Sequence, residues 1–136
     1  MPFTGHCLCG AVTYVANVSE PDLVAYCHCD DCQRQSGSTY SSFIIVPKNK
    51  VIINGQIQTF TNKGSSGLPV HRQFCLQCGR PLFDEALSAP NEIAIKSGSL
   101  SVQQKERLQP TAEFWTANKL QFCGEHLSNA YWYMPE

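Results

Sequence analysis

Two cysteine pairs lie far apart in this sequence, in Cys7-Leu8-Cys9-Gly10 and in Cys75-Leu76-Gln77-Cys78-Gly79. Two residues separate the thiols of the second pair, so that a tight turn can aim both sulfurs at one point, and the following glycine accepts the positive φ that such a turn often needs. Neither pair completes a tetrahedral shell alone, but together they supply four thiolates, which is the ligand set of a closed structural zinc site. The alternative is a redox disulfide, which the surrounding strands do not favour and which would be strained within a CxC pair. The sequence therefore predicts a zinc ion that joins residue 7 to residue 75.

A third group of thiols lies in Cys27-His28-Cys29-Asp30-Asp31-Cys32. Three protein ligands plus one exchangeable position is the arrangement of a catalytic zinc site, where water or substrate completes the shell. We therefore predict a second zinc on Cys27, Cys29 and Cys32. Three alternatives remain open: Cys123 closes the shell, His28 does so as a weaker candidate, or the purified protein holds no metal here, because three ligands bind less firmly than four.

Strand signals dominate the rest of the chain and predict a mainly β fold. Alternating or β-branched runs mark strands at residues 11–15, 41–46, 70–74, 81–84 and 92–96. The runs 51–53 and 56–60 flank Asn54-Gly55, which predicts a hairpin with a two-residue turn. Short helices are predicted over residues 30–35, ending at Gly37, and over residues 101–108. We expect residues 1–136 to form one small domain of short antiparallel strands, with zinc knuckles at strand ends and a loop over residues 62–67.

The composition disfavours several classes of function. The 136 residues are 43% hydrophobic, as in a folded globular protein, and their ten basic and eleven acidic residues give a net charge of −1. That balance provides no field that attracts phosphate backbones or anionic lipids, so we expect no nucleic-acid partner and no membrane partner. Apolar runs such as Phe43 to Val46 are too short to span a bilayer. Since Met1 to His6 shows no secretory signal, we expect a cytoplasmic location, where clustered thiols bind metal rather than form disulfides.

Three segments of the chain resemble those of the glutathione-dependent formaldehyde-activating enzyme (GFA) family, whose fold is Mss4-like. The segments are Gly5-His6-Cys7-Leu8-Cys9-Gly10-Ala11-Val12, the CHCxxCxRxxG match from Cys27 to Gly37, and the FCxxCGxxL match from Phe74 to Leu82. The resemblance implies a carbon–sulfur lyase activity, the condensation of glutathione with formaldehyde to S-(hydroxymethyl)glutathione. It also implies a structural zinc on Cys7, Cys9, Cys75 and Cys78 and a catalytic zinc on Cys27, Cys29 and Cys32. Cys123 lies outside the matched segments, and Glu113-Phe114-Trp115-Thr116 resembles the family only loosely.

Outside the cysteines, Arg34 is the main candidate for a contact with glutathione. Its guanidinium can bind a glutathione carboxylate with two parallel hydrogen bonds. An ion pair with Asp30, Asp31 or Glu85 is at least as good an interpretation. We expect the sulfur of glutathione to take the position that Cys27, Cys29 and Cys32 leave open.

Several further residues have two interpretations each. Phe114, Trp115, Tyr131 and Trp132 either line an apolar pocket or belong to the core, as aromatic residues in a small β domain more often do. His71 and Arg72 can contact substrate, although at least one of them should face solvent. His6 and His126 are expected at the surface without a role.

Two functions therefore compete at this stage. The first is a zinc-dependent enzyme whose partners are a small-molecule thiol, glutathione, and an aldehyde. The alternative is a non-catalytic, zinc-stabilised protein-binding module of the same fold. The three-thiol group separates them, because a pure scaffold has no need of an unsaturated metal ion.

Overall fold

The computed structural model describes residues 1–124 and 127–135, and the surface position expected for His126 lies outside them. The strands are β1 (Phe3–His6), β2 (Thr13–Ala16), β3 (Leu23–Cys27), β4 (Ser41–Pro47), β5 (Val51–Asn54), β6 (Ile57–Lys63), β7 (Pro69–Cys75), β8 (Pro81–Ala86), β9 (Glu92–Lys96), β10 (Ala112–Phe114) and β11 (Asn129–Ala130). The α-helices are α1 (Asp30–Ser36) and α2 (Val102–Glu106), and single 3₁₀ turns lie at Lys48–Lys50, Ser97–Ser99 and Thr116–Asn118.

The described strands form two sheets. The smaller has the order β1-β2-β5 and the larger the order β11-β10-β3-β4-β9-β8-β7-β6. Neighbouring strands are antiparallel except at β10, which runs parallel to both β3 and β11. The prediction of a mainly β fold of short antiparallel strands is confirmed, and the assignment of all 136 residues to one domain stays a prediction.

The hairpin predicted across Asn54-Gly55 is wrong. β5 pairs with β2 in the smaller sheet, whereas β6 pairs with β7 in the larger one, so the turn passes the chain from one sheet to the other. Gly55 adopts a φ of +113°, and a Cβ there would collide with the carbonyl oxygen of Ala11. The alternation of apolar and polar residues is compatible with any antiparallel neighbour. It therefore locates these strands in the sequence but does not identify their partners.

The main core unites side chains from both sheets. Alternate residues of β1 and β2 are buried, as expected for strands with one face covered. Tyr14 of β2 packs the edge of its ring against Phe83 of β8, with 5.2 Å between ring centroids, and its hydroxyl is 2.7 Å from Oγ of Ser99. Burial raises the pKa of Tyr14 to about 12, so the phenol stays neutral and keeps this hydrogen bond. A smaller cluster of buried residues includes two cysteines of the three-thiol group. Its members are Ala25, Cys27, Cys32, Phe43, Ala112 and Phe114.

The helices are short and serve to place side chains. α1 ends at Gly37, where a φ of +67° lets the backbone N–H bond the carbonyl of Gln33, as the sequence predicts. Within the described residues, no helix has the length and apolar character needed to cross a membrane.

Candidate metal centres and the adjoining cleft

The first cysteine group joins the two sheets. Cys7 directly follows β1 and Cys75 ends β7, and the sulfurs of Cys7, Cys9, Cys75 and Cys78 all lie within 4.8 Å of one another. The Cys7 and Cys9 sulfurs are 3.6 Å apart, and those of Cys9 and Cys75 are 3.8 Å apart. Four sulfurs placed tetrahedrally at about 2.3 Å from a zinc ion would be separated by about 3.8 Å, whereas a disulfide requires about 2.0 Å. The four cysteines are free thiols at this spacing and fit a zinc ion.

Backbone N–H groups point at the sulfurs of this first group. Val12 donates to Cys7 at 3.3 Å, and Gln77 and Cys78 donate to Cys75 at 3.3 and 3.4 Å. Backbone hydrogen bonds from Arg80 and Cys9 help to lower the pKa of Cys78 to about 6. Such donors stabilise thiolates, which are the form that binds metal.

The second group forms where β3 meets α1. Cys27 is the last residue of β3, Cys29 caps α1 by accepting the N–H of Cys32 at 3.3 Å, and Cys32 faces inward from the first turn of the helix. Their sulfurs all lie within 4.8 Å of one another. In the part of the chain that the structure describes, neither His28 nor Cys123 belongs to this group of ligand atoms.

The thiols of the second group compete for their protons. Hydrogen bonds from Cys27 and Cys32 lower the pKa of Cys29 strongly, and nearby Arg72 contributes to the same shift. The pKa of Cys27 is raised, first by its hydrogen bond to Cys29. The three cysteines can all be thiolates only when a bound cation compensates their charge, as in a metal ligand set.

A buried ion network holds the backbone of this second group. His28 lies between two of the thiols, is fully buried, and its Nε2 donates to Oε1 of Glu113 at 2.9 Å. The same oxygen accepts from Lys119 Nζ at 2.6 Å, while Oε2 accepts the N–H of Leu127 at 2.7 Å. Burial alone would raise the pKa of Glu113, but the bonds from Lys119, Leu127 and His28 outweigh it and lower that pKa below its usual range. Because the ionised carboxylate can only accept, Nε2 of His28 carries the ring proton.

A second network brings positive charge close to the thiols. Lys96 is almost fully buried, and its Nζ donates to Asp84 and Ser41 at 2.8 Å each and to Gln35 at 3.2 Å. Arg72 donates to the same oxygen of Gln35 at 3.0 Å, and its guanidinium lies 3.6 Å from Asp84. The hydrogen bond from Cys27 and the charge of Lys96 act to lower the pKa of Cys32, but Cys29 and burial outweigh them and raise it. The charge of Arg72 contributes to the lowered pKa of Cys29.

A cleft of about 590 Å³ opens beside the three thiols, with Cys27 and Cys32 in its wall. Most of its lining is apolar, and the apolar residues come from several strands and from the end of the described chain: Leu23, Phe43, Ile45, Val70, Ala86, Ala94, Phe114, Met134 and Pro135. Its volume is in the usual range for small-molecule sites. The thiols thus have an accessible space beside them that can hold a small organic molecule.

Arg34 does not line this cleft. Its side chain is 78% exposed, and its Nε donates to Asp30 at 2.7 Å, one helical turn away. Of the aromatic candidates, Phe114 lines the cleft, whereas Trp132 is exposed at the surface. Trp115 has a φ of 59°, and its ring stacks edge-on against Tyr133 at 4.9 Å between centroids.

Sequence reasoning missed Lys96, Asp84 and the ion-pairing role of Glu113. Lys96 directly follows the apolar run Ile93 to Ile95 and is buried with it. A buried lysine needs a partner for its charge, so a lysine at this place in the pattern is a signal in itself. Glu113 gives a similar signal, because it lies between apolar residues in a strand that is buried at every position.

Comparisons with known proteins agree with this geometry. A family model described as glutathione-dependent formaldehyde-activating enzyme matches residues 2–118. An uncharacterized lyase of Schizosaccharomyces pombe is 32% identical over 81 residues, which cover 60% of this chain and 56% of that protein, so the match spans little more than half of this curated relative. A crystal structure of a Rhodobacter sphaeroides protein superposes with a TM-score of 0.59 at 18% identity, covering 94% of this chain and 98% of that one, and it supports the fold alone.

Proposed function

This chain belongs to the glutathione-dependent formaldehyde-activating enzyme family, and from that premise we propose that it is a zinc-dependent carbon–sulfur lyase. Its reaction resembles that of S-(hydroxymethyl)glutathione synthase: it joins glutathione to formaldehyde or acts on a related thiol adduct. The observation that carries the proposal is the convergence of Cys27, Cys29 and Cys32 in the wall of an open cleft, with no fourth protein ligand among the described residues.

The reaction is an addition that needs no oxidant or reductant. The sulfur of the thiol bonds to the carbonyl carbon of the aldehyde, the carbonyl π electrons move to oxygen, and the proton lost by the thiol ends on that oxygen. The reverse reaction breaks the same carbon–sulfur bond. A zinc ion, when bound, lowers the pKa of a coordinated thiol or polarises a carbonyl oxygen.

The chain's own residues prepare the site. In this proposal Cys27, Cys29 and Cys32 hold the catalytic zinc. The hydrogen bond between His28 and Glu113 fixes the backbone between Cys27 and Cys29. Lys96 and Arg72 offset the negative charge of the thiolates. The mostly apolar lining lowers the local polarity, which strengthens electrostatic interactions beside the thiols.

Cys7, Cys9, Cys75 and Cys78 have a structural role in this proposal. They would hold the structural zinc in a closed shell and tie the smaller sheet to the larger one. Residues 1–136 would then act as one zinc-stabilised domain, and reduced thiols of this kind suit the cytoplasm.

The decisive experiment combines metal analysis with a formaldehyde-consumption assay. We expect two zinc ions per chain, and a rate with glutathione above the uncatalysed addition of thiol to formaldehyde. Cys32→Ser should lose about one zinc and the catalysed rate while it remains folded. Cys123→Ser is the matched control, because Cys123 belongs to neither thiol group, and it should keep both zinc and rate.

Two outcomes would overturn the proposal. One is a Cys32→Ser variant that loses the second metal and still catalyses at the full rate. The other is a chain with a single, fully enclosed zinc and no rate above background for any thiol, which would instead support the protein-binding module.

A further inference from the structure

We propose that the cleft beside the three thiols selects a thiol that carries an uncharged, apolar group, and that it discriminates against glutathione. This inference rests on the proposed lyase function and narrows its substrate class. It follows from which side chains the fold brings to the cleft wall, and it concerns the part of the substrate that lies beyond the reacting sulfur.

Two aromatic side chains share the cleft wall with the thiols. Phe43 and Phe114 are buried in the same cluster as Cys27 and Cys32, with their ring centroids 6.0 Å apart, and all four residues line the cleft. A substrate whose sulfur approaches the thiol group therefore places its adjoining carbon atoms close to the side chains of Phe43 and Phe114. Burial of apolar surface there favours binding by about 25 cal/mol per Å².

The charges at the cleft oppose an anionic ligand. Asp22, Asp84 and Glu92 contribute to its lining, and none of the described lining residues is Lys or Arg. Lys96 and Arg72 lie behind this wall, 2.8 and 3.6 Å from Asp84, and neutralise its charge, so the negative charge of the lining comes from Asp22 and Glu92. Glutathione carries two carboxylates and a net negative charge, and each carboxylate that leaves water requires a donor or cation to compensate it.

Arg34 does not change this balance. It is the cation that sequence analysis assigned to a glutathione carboxylate, yet it is outside the cleft lining and bound to Asp30. The carboxylates of a glutathione molecule seated in the cleft would therefore meet Asp22 and Glu92, which are exposed acidic residues of the lining. Repulsion between like charges reduces affinity, although solvent weakens it at exposed positions.

The chemistry of an apolar thiol balances in the same way as that of glutathione. With benzyl mercaptan and formaldehyde, the sulfur–carbon bond forms, the thiol proton ends on the former carbonyl oxygen, and no electrons are gained or lost. A cleft of about 590 Å³ has room for a phenyl group beside the thiols.

The test measures binding and turnover separately. Isothermal titration calorimetry of the zinc-loaded protein compares benzyl mercaptan, glutathione and benzyl alcohol, which has the same apolar group without sulfur. We expect benzyl mercaptan to bind at least about tenfold more tightly than glutathione, and benzyl alcohol to bind measurably at the same site by competition. Equal or tighter binding of glutathione would overturn the inference.

Turnover with formaldehyde then distinguishes the two proposals. Selective binding of benzyl mercaptan without turnover of any thiol would overturn the lyase function and leave the cleft's selectivity standing. Turnover of glutathione with a kcat/KM equal to or above that of benzyl mercaptan would support the lyase and overturn the inference.

Charge substitutions test the cause of the selectivity. Val70→Lys places a cation in the cleft wall, and it should narrow the preference for benzyl mercaptan over glutathione by about tenfold. Glu92→Gln removes a carboxylate from an exposed position of the lining, and it should narrow the preference for benzyl mercaptan over glutathione by a smaller factor. Ile52→Lys is the matched control, since Ile52 is 66% exposed on β5 and does not line the cleft. A change in the control as large as that in Val70→Lys would refute the electrostatic cause.

Discussion

The buried carboxylate of Glu113 offers the sharpest test of how the three-thiol group is held. Glu113→Gln preserves shape and one acceptor oxygen but replaces the other oxygen with an amide NH₂. When the remaining oxygen faces His28 and Lys119, the NH₂ faces the N–H of Leu127, which loses its acceptor. One unpaired buried donor costs about 1–3 kcal/mol, and replacing the carboxylate that accepts from the Lys119 ammonium by a neutral amide oxygen adds about 1 kcal/mol.

We therefore expect Glu113→Gln to lower the free energy of unfolding by about 2–4 kcal/mol. The measurement is urea unfolding of the zinc-loaded protein, followed by circular dichroism and extrapolated to zero denaturant. Arg34→Gln provides the control, because it removes an ion pair whose side chains are 78% and 64% exposed and should therefore lower the free energy of unfolding far less than Glu113→Gln does. A loss in Glu113→Gln no larger than that of the control would refute the reasoning.

Three further outcomes follow from the same structure. The pKa of Glu113 is lowered in the folded protein, so its contribution to stability is complete above the ordinary Glu pKa of about 4.3 and is lost as the pH falls through the folded value. The difference in unfolding free energy between wild type and Glu113→Gln should therefore narrow below about pH 4. Gly5→Ala should cost more than about 3 kcal/mol in urea unfolding, since its Cβ would overlap the Tyr14 hydroxyl and the Ser99 carbonyl. Cys75→Ser should remove about one zinc per chain and lower the urea midpoint further than the other substitutions, because structural zinc contributes directly to folding.

Each of these outcomes has its own control. For the pH series, a gap that stays constant down to about pH 3 would show that folding does not lower the pKa of Glu113. Gly124→Ala is the counterpart of Gly5→Ala, because a Cβ at residue 124 meets nothing within 4 Å, and equal costs would contradict the steric argument. Cys123→Ser accompanies Cys75→Ser, and a zinc loss common to both would place Cys123 at a metal.

Local features of the chain were predictable because their causes are local. Gly37 ends α1 at the predicted residue, since a left-handed C-cap is a property of the glycine itself. The strand over residues 92–96 was predicted with its observed bounds, because a run of apolar residues between polar ends needs no knowledge of its neighbours.

The pairing of strands was not predictable in the same way. Ile57 of β6 lies opposite Cys75 of β7, and Ile53 of β5 lies opposite Tyr14 of β2, although residues 51–60 read as one hairpin. Each of these strands buries its apolar side equally well against several antiparallel partners. The choice between these partners depends on how both sheets cover one core, and the sequence of a single segment does not contain that information.

The sequence by itself determined the Cys7–Cys9 pair, the Cys75–Cys78 pair and the three-thiol group, because the short spacing within each of them restricts where the sulfurs can point, and the need for four ligands joined the two pairs. The tertiary structure alone decided what surrounds them: β8 and β9 bring Asp84 and Lys96 to α1, and β10 brings Glu113 to His28. Those contacts join residues far apart in the chain, and they exist only because the strands are adjacent in space. The grouping of the thiols thus follows from local sequence, whereas the charge and the apolar character of their cleft arise from long-range packing.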